Sequence, residues 1–189
     1  MVKNEYYELK IKLNNISPQI TREIIVDSSV VLQDFHKIIQ TVMGWTNSHL
    51  HQFRVGNLFY SKPDEESLIE SIDYTDIELQ TVLNADNREI IYDYDFGDDW
   101  EHIITLKKII YEKPKQVPIC ISGKRNCPPE DSGGPYGYQS LLRILKNPNH
   151  KEYKEMKQWI GKQFDSEYFD IDIINKLLKK KDYGCLCLE

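Results

Sequence analysis

The chain has 189 residues, 40% of them hydrophobic and 29% charged, and a formal net charge of −6. This length suits one domain with a sizeable core, and the composition excludes disordered and fibrous classes. No apolar run reaches the ~18 residues needed to cross a bilayer, and the N-terminus lacks the apolar stretch of a signal peptide, so we expect a cytoplasmic protein without a membrane partner.

Alternation of apolar and polar residues predicts strands in the first third of the chain. Residues 7–13 form a clean half-buried pattern, and a second strand follows at residues 20–26. Residues 49–55 and 58–61 predict a hairpin around a tight turn.

A helix is predicted between these two pairs of strands. Its apolar residues recur at three- and four-residue steps, Ser28 or Ser29 is a candidate N-cap, and Gly44 is its predicted end. Beyond the second strand pair, residues 62–78 are interpreted as a solvated acidic loop, and residues 77–83 as a short helix or strand.

The rest of the chain predicts a second hairpin followed by helices. Strands are expected at residues 89–96 and 100–111, and a loop rich in Pro and Gly at 114–135. Three helices are predicted at about residues 136–146, 149–161 and 171–181. Strands first and helices last indicate an α+β protein with a mainly antiparallel sheet.

We expect a single domain over residues 1–189. It comprises a sheet-rich core with one helix at residues 1–112, the loop at 113–135 and a helical part at 136–181.

Acidic residues are concentrated in the middle of the chain. Residues 62–101 contain 2 basic and 14 acidic residues, a net charge of −12, whereas residues 1–61 carry +1 and residues 102–189 carry +5. Such an acidic segment repels phosphate, so the charge pattern does not support a nucleic-acid partner.

The most unusual stretch, residues 92–102, combines five carboxylates, four aromatic residues and a histidine. Strand alternation places the rings of Tyr92, Tyr94 and Phe96 on one face and the carboxylates of Asp93 and Asp95 on the other.

Two turns are compatible with this hairpin. A turn at Gly97-Asp98 pairs Asp93 with His102, and a shift by one residue pairs Asp95 with His102 instead. Either pairing raises the basicity of the histidine and offers oxygen and nitrogen ligands to a divalent ion. The alternative is a structural Asp–His pair beside a solvated turn.

Two further features could contribute to a site. His49 and His51 share one strand face, where imidazoles can present metal ligands or donate hydrogen bonds at a sheet edge. In the loop at 127–138, prolines stiffen the chain that presents Glu130 and Asp131 before a helix. A plain Ω-like loop packed by tyrosines is the alternative.

Three motifs resemble the plasmid pRiA4b ORF-3-like family. They are His-Leu-His-Gln-Phe at 49–53, Tyr-Asp-Phe-Gly-Asp-Asp-Trp-Glu-His at 94–102, and Cys-Pro-Pro-Glu-Asp with Gly-Gly-Pro-Tyr-Gly-Tyr within 127–138. The resemblance covers nearly the whole chain. It implies a link to mobile genetic elements and no established activity, so it assigns no catalytic residue.

Some members of that family carry a resolvase label, which the sequence does not support. A serine recombinase needs a nucleophilic serine near arginines and a basic DNA-binding helix. This chain has four scattered arginines, and its most distinctive motif is acidic.

Two functions remain open. The sequence favours a non-enzymatic interaction module, because a groove for a protein or peptide partner needs no metal and accounts for the aromatic content. Its expected lining is Tyr94, Phe96, Trp100, Glu130, Asp131, Tyr136 and Tyr138. The alternative is a divalent-metal-dependent hydrolase, with a phosphodiester as one candidate substrate. Its candidate metal residues are His51, Asp93, Asp95 and His102, supported by Glu130 and Asp131.

Overall fold

The computed structural model describes residues 4–63, 70–161 and 163–186. One sheet of eight strands in the order β5-β4-β3-β6-β7-β1-β2-β8 forms its centre. Neighbouring strands are antiparallel except β4 and β5, which are parallel. The strands are β1 (Tyr6–Leu13), β2 (Thr21–Asp27), β3 (His51–Val55), β4 (Leu58–Ser61), β5 (Ile72–Asp73), β6 (Glu89–Tyr94), β7 (Trp100–Ile110) and β8 (Ile119–Lys124).

Five helices and a 3₁₀ turn complete the described chain and confirm the α+β class. They are α1 (Leu32–Met43), α2 (Leu79–Val82), α3 (Gly134–Leu145), α4 (Tyr153–Trp159), α5 (Ile171–Leu177) and the 3₁₀ turn Lys181–Gly184. None of these helices is long and apolar enough to cross a bilayer.

The core lies between the sheet and α1. Alternate residues of β1 are fully buried, and the ring of Phe35 on α1 stacks on Phe53 of β3 at 5.9 Å between centroids. Burying such large apolar side chains is worth about 1.5–3 kcal/mol each. The α1 helix ends as predicted at Gly44, whose left-handed backbone places its N–H on the carbonyl of Gln40.

The predicted serine cap of α1 is wrong. The helix begins after Val31 with no side-chain cap, and the N–H of Leu32 donates to the carbonyl of Ile77 at 2.8 Å. Ser28 instead donates its hydroxyl to the side chain of Gln80. The backbone of a segment distant in sequence therefore accepts a hydrogen bond from one of the free N–H groups in the first turn of α1.

The Pro- and Gly-rich segment is not wholly a loop, because it contains β8. This strand pairs with β2 at the sheet edge, and the side chain of Asn175 on α5 bonds both backbone groups of Cys120. Only Cys120 of this strand is fully buried, so the strand has no alternating apolar pattern from which it could be predicted. Of the predicted acidic loop at 62–78, residues 64–69 lie outside the described residues; the remainder includes β5.

Both predicted registers of the second hairpin are wrong. Tyr92 pairs with His102 and Tyr94 with Trp100, which leaves residues 95–99 as the turn. Asp95 has a φ of 57°, and its Oδ1 accepts the N–H of Gly97 at 3.0 Å. The aspartate thus caps its own turn in a left-handed conformation that Asp tolerates better than most residues.

Candidate metal centre

Four ligand-type side chains converge beside this turn. His49 Nε2 lies 3.6 Å from Asp95 Oδ2, 3.8 Å from Glu130 Oε2 and 3.5 Å from Asp131 Oδ1. Ligand atoms of His49, Asp95 and Asp131 all lie within 4.8 Å of one another. Three segments remote in sequence therefore bring one nitrogen and three oxygens together.

The segment before β3 positions His49. The N–H of Ser48 donates to the hydroxyl of Tyr94 at 2.9 Å, and the N–H of Asp95 donates to the carbonyl of Leu50 at 2.9 Å. Because both flanking residues are tied to the end of the hairpin, the imidazole is directed at the turn. Its ring also packs edge-on against Tyr94 at 5.7 Å between centroids.

Glu130 is fixed through one oxygen, and its other oxygen faces the cluster. Its Oε1 accepts the N–H of Thr46 at 2.7 Å, the hydroxyl of Thr46 at 2.8 Å and the hydroxyl of Tyr94 at 3.0 Å. Burial and the neighbouring Glu130 raise the pKa of Tyr94, so the phenol stays protonated and donates. Asp95 is also fixed through one oxygen: its Oδ1 accepts the N–H groups of Gly97 and Asp98, and its Oδ2 faces His49.

Two atoms of the cluster are buried without a hydrogen-bond partner. They are His49 Nε2 and Glu130 Oε2, which face each other across 3.8 Å. A buried polar atom left unpaired costs about 1–3 kcal/mol, which makes these two atoms candidates for binding a water molecule or an ion. Asp131 closes the cluster on the solvent side, with 76% of its side chain exposed.

Glycines hold the Glu130–Asp131 loop against the hairpin turn. The N–H of Gly133 donates to Asp98 Oδ2 at 3.0 Å. A Cβ atom at Gly134 would overlap the carbonyl oxygen of Asp98, and one at Gly137 would overlap the carbonyl oxygen of Ser132. The glycines of this motif therefore allow the close approach of the two backbones.

Asp93 lies on the opposite face of the sheet from Tyr92 and Tyr94. Its carboxylate accepts from Arg54 Nε at 2.6 Å, Arg54 Nη2 at 2.9 Å and Gln52 Nε2 at 2.9 Å. The structure therefore places it in an ion pair and not with the cluster. Asp95 does not share a sheet face with Asp93 as predicted, because β6 ends at Tyr94 and Asp95 lies in the turn.

His102 is buried in the core with both ring nitrogens engaged. Its Nε2 accepts the indole N–H of Trp45 at 3.1 Å, and its Nδ1 donates to the carbonyl of Tyr92 at 3.1 Å. An indole can only donate, which fixes the neutral tautomer. His102 is thus not paired with Asp93 or Asp95.

His51 lies on β3 beside α1, away from the cluster. Its ring stacks on His36 at 3.5 Å between centroids, and its Nε2 lies 3.0 Å from the hydroxyl of Tyr74. Burial and the adjacent His36 lower the pKa of His51. Of the two histidines in the predicted pair, His49 is the one at the cluster, because it precedes the strand.

The aromatic residues of the expected groove divide into two groups. Tyr94, Trp100 and Tyr138 are buried in the core, whereas Phe96 and Tyr136 are exposed. Trp45, which the sequence did not single out, packs between Tyr94 and Trp100 at 5.2 and 5.5 Å. The sequence feature that could have indicated Trp45 is its position between Gly44, which ends α1, and Thr46, which bonds Glu130.

The buried imidazoles are expected to make stability depend on pH. Burial lowers the pKa of His36 to about 4 and that of His102 to about 4, against roughly 6.5 in an unfolded chain. The unfolded chain therefore binds more protons below pH 6.5, and stability is lost as pH falls towards 4.

Each of these two histidines is expected to contribute about 2.4 kcal/mol to that loss between pH 7 and pH 4.5. Urea unfolding at pH 7 and pH 4.5 measures it, and the interval lies largely above the titration of ordinary carboxylates. Equal free energies of unfolding at the two pH values would contradict the burial of neutral imidazoles.

The fold and the cluster define an α+β protein whose central hairpin presents a carboxylate–histidine centre at one end. The chain belongs to the family of plasmid pRiA4b ORF-3-like proteins, whose model matches residues 5–173.

The chain is similar to proteins from two different organisms. The uncharacterized protein y4hQ of Sinorhizobium fredii is 35% identical over 170 residues, which are 89% of this chain and 88% of that protein. MM3350, a protein of unknown function from Methanosarcina mazei Go1, is 37% identical in sequence. Its crystal structure matches this fold with a TM-score of 0.83, and the match covers 89% of this chain and 97% of that one.

Proposed function

We propose that this protein is a divalent-metal-dependent hydrolase whose metal centre consists of His49, Asp95, Glu130 and Asp131. The observation that carries the proposal is the convergence of three carboxylate oxygens on an imidazole nitrogen, with two of these atoms buried and unpaired. One nitrogen with three oxygens suits Mn²⁺, Fe²⁺ or Zn²⁺.

The spacing of the ligand atoms supports an ion of this kind. Two ligands about 2.1 Å from one metal lie about 3.0 to 3.4 Å apart at octahedral and tetrahedral angles. The observed distances from His49 Nε2 are 3.5, 3.6 and 3.8 Å. Ligand atoms of His49, Asp95 and Asp131 lie within 4.8 Å of one another, so small side-chain rotations would bring these three to one ion. Glu130 meets His49 at 3.8 Å but lies outside this group of three, so it would have to move further to become a fourth ligand.

An octahedral ion held by these four side chains would keep two coordination positions for water or substrate. A water bound there would lose its proton near neutral pH and act as a nucleophile. The exposed carboxylate of Asp131 lies on the solvent side, where a substrate would enter. An ion would also cancel the repulsion between this acidic end of the sheet and a phosphodiester.

The interaction module has weaker support, because Tyr94, Trp100 and Tyr138 belong to the core and cannot line a groove. Phe96 and Tyr136 remain exposed beside the centre, where they could contact a substrate as readily as a partner protein. We therefore rank the hydrolase first.

Metal binding is the test of the proposal. With Mn²⁺ or Zn²⁺ at one hundred times its Kd, the chelator-treated protein should gain about 2.7 kcal/mol. For a domain of this size that corresponds to a rise in melting temperature of about 5–10 °C. A folded protein that neither retains metal after purification nor melts higher with millimolar metal would refute the proposal.

Asp131→Asn and Asp99→Asn form a matched pair for this test. Both aspartates have left-handed backbones, with φ of 54° and 56°, which asparagine also tolerates. We expect Asp131→Asn to weaken metal binding at least about tenfold without changing the melting temperature of the metal-free protein. Asp99→Asn should leave the metal Kd unchanged in isothermal titration calorimetry.

A further inference from the structure

A cavity between α3 and α4 adjoins the proposed metal centre. Its volume is about 300 Å³, and apolar side chains form its walls: Leu141, Ile144, Met156 and Trp159. Asp131 and Ser132 line its polar end. Asp131 therefore belongs both to the cavity and to the cluster around His49.

The cavity has a polar group that nothing in the described chain satisfies. Ser132 Oγ is buried without a hydrogen-bond partner. Its backbone carbonyl lies close to α3 at Gly137, which fixes the main chain of Ser132 beside the cavity. A change of the χ1 rotamer would turn the hydroxyl into the cavity, where it would bond a ligand atom between the metal centre and the apolar wall.

The apolar wall is only partly covered by the protein itself. No residue of α4 is buried, and Trp159 is 48% exposed although its indole lines the cavity. Apolar cavities of about 150 Å³ already accommodate benzene. A ligand ring bound here would cover apolar surface of α4 that the protein leaves exposed, and burial of that surface would favour binding.

We propose that this cavity is a specificity pocket for an uncharged aromatic or branched aliphatic group of the substrate. The inference rests on the proposed function: the group cleaved would lie at the metal centre, beside Asp131, and the apolar group between α3 and α4. A linking oxygen or nitrogen would bond Ser132.

Two hydroxamates test the pocket in the metal-loaded protein. Benzohydroxamate and acetohydroxamate bind a metal through the same group, but only the first carries a ring. We expect benzohydroxamate to bind at least tenfold tighter to the Zn²⁺-loaded wild type. Trp159→Ser should reduce this ratio to below threefold with an unchanged Zn²⁺ affinity. Tyr168→Ser, which removes an equally exposed ring (49%) outside the cavity, should leave the ratio unchanged.

A measurement without metal separates this inference from the proposed function. In protein with ¹³C-labelled methionine methyl groups, benzyl alcohol should shift the Met156 signal and not that of Met43, which is buried in the core. If metal binds but neither the ring preference nor the Met156 shift appears, the pocket is refuted and the metal centre stands. If benzyl alcohol shifts Met156 but no metal binds, the hydrolase is refuted and the apolar site stands alone.

Discussion

Arg54→Met is expected to lower the free energy of unfolding by about 3 kcal/mol at pH 7. The guanidinium of Arg54 bonds both oxygens of Asp93 and reaches Glu101 Oε2 at 2.5 Å. Asp93 is only 6% exposed, so loss of its partner leaves a buried carboxylate with Gln52 as its remaining donor. The same bonds raise the pKa of Arg54 and keep it charged.

Urea unfolding of three variants checks this expectation. Arg88→Met removes an exposed arginine that donates to backbone carbonyls, and it should cost less than about 1 kcal/mol. Adding Asp93→Asn to Arg54→Met should recover more than half of the loss, because the buried charge disappears. A loss below 1 kcal/mol for Arg54→Met would mean that Asp93 does not depend on this ion pair.

Gly134→Ala is expected to lower stability by about 2–3 kcal/mol and to weaken metal binding at least about tenfold. Gly134 has a φ of 64°, and an added Cβ would overlap the carbonyl oxygen of Asp98. The loop must then move away from the hairpin turn. Glu130 and Asp131 would move with it, so their oxygens would no longer meet Asp95.

Gly56→Ala is the matched control for this variant. Gly56 has a φ of 58°, and nothing lies within 4 Å of an added Cβ. It should show the backbone strain alone, about 1 kcal/mol, with an unchanged metal Kd. Thermal melting and metal titration of both variants measure the two effects. Equal results for the two glycines would refute the role of close packing against Asp98.

Sequence patterns predicted the strands and helices where one face is buried. The alternation in β1 and the three- and four-residue steps in α1 follow directly from packing on the sheet. They failed at β8, whose position at the sheet edge is held by Asn175 of α5. A contact between residues 55 positions apart leaves no local signal.

The candidate site was predictable in its residue types but not in its membership. The sequence indicated that carboxylates of the hairpin and of the Glu130–Asp131 loop would meet a histidine. Which histidine depended on the turn, and the turn depends on the left-handed backbone of Asp95 and on the docking of Gly134. These are tertiary constraints, so alternation alone assigned the wrong partners to His102.

The origin of the ligands in three separate segments has a consequence for the life of the protein in a cell. His49 and Asp131 are more than 80 positions apart, and Asp95 lies between them. A nascent chain would lack a complete ligand set until residue 131 had left the ribosome. The proposed ion could therefore bind only after all three segments were made, and it would link parts of the molecule that are synthesised at different times.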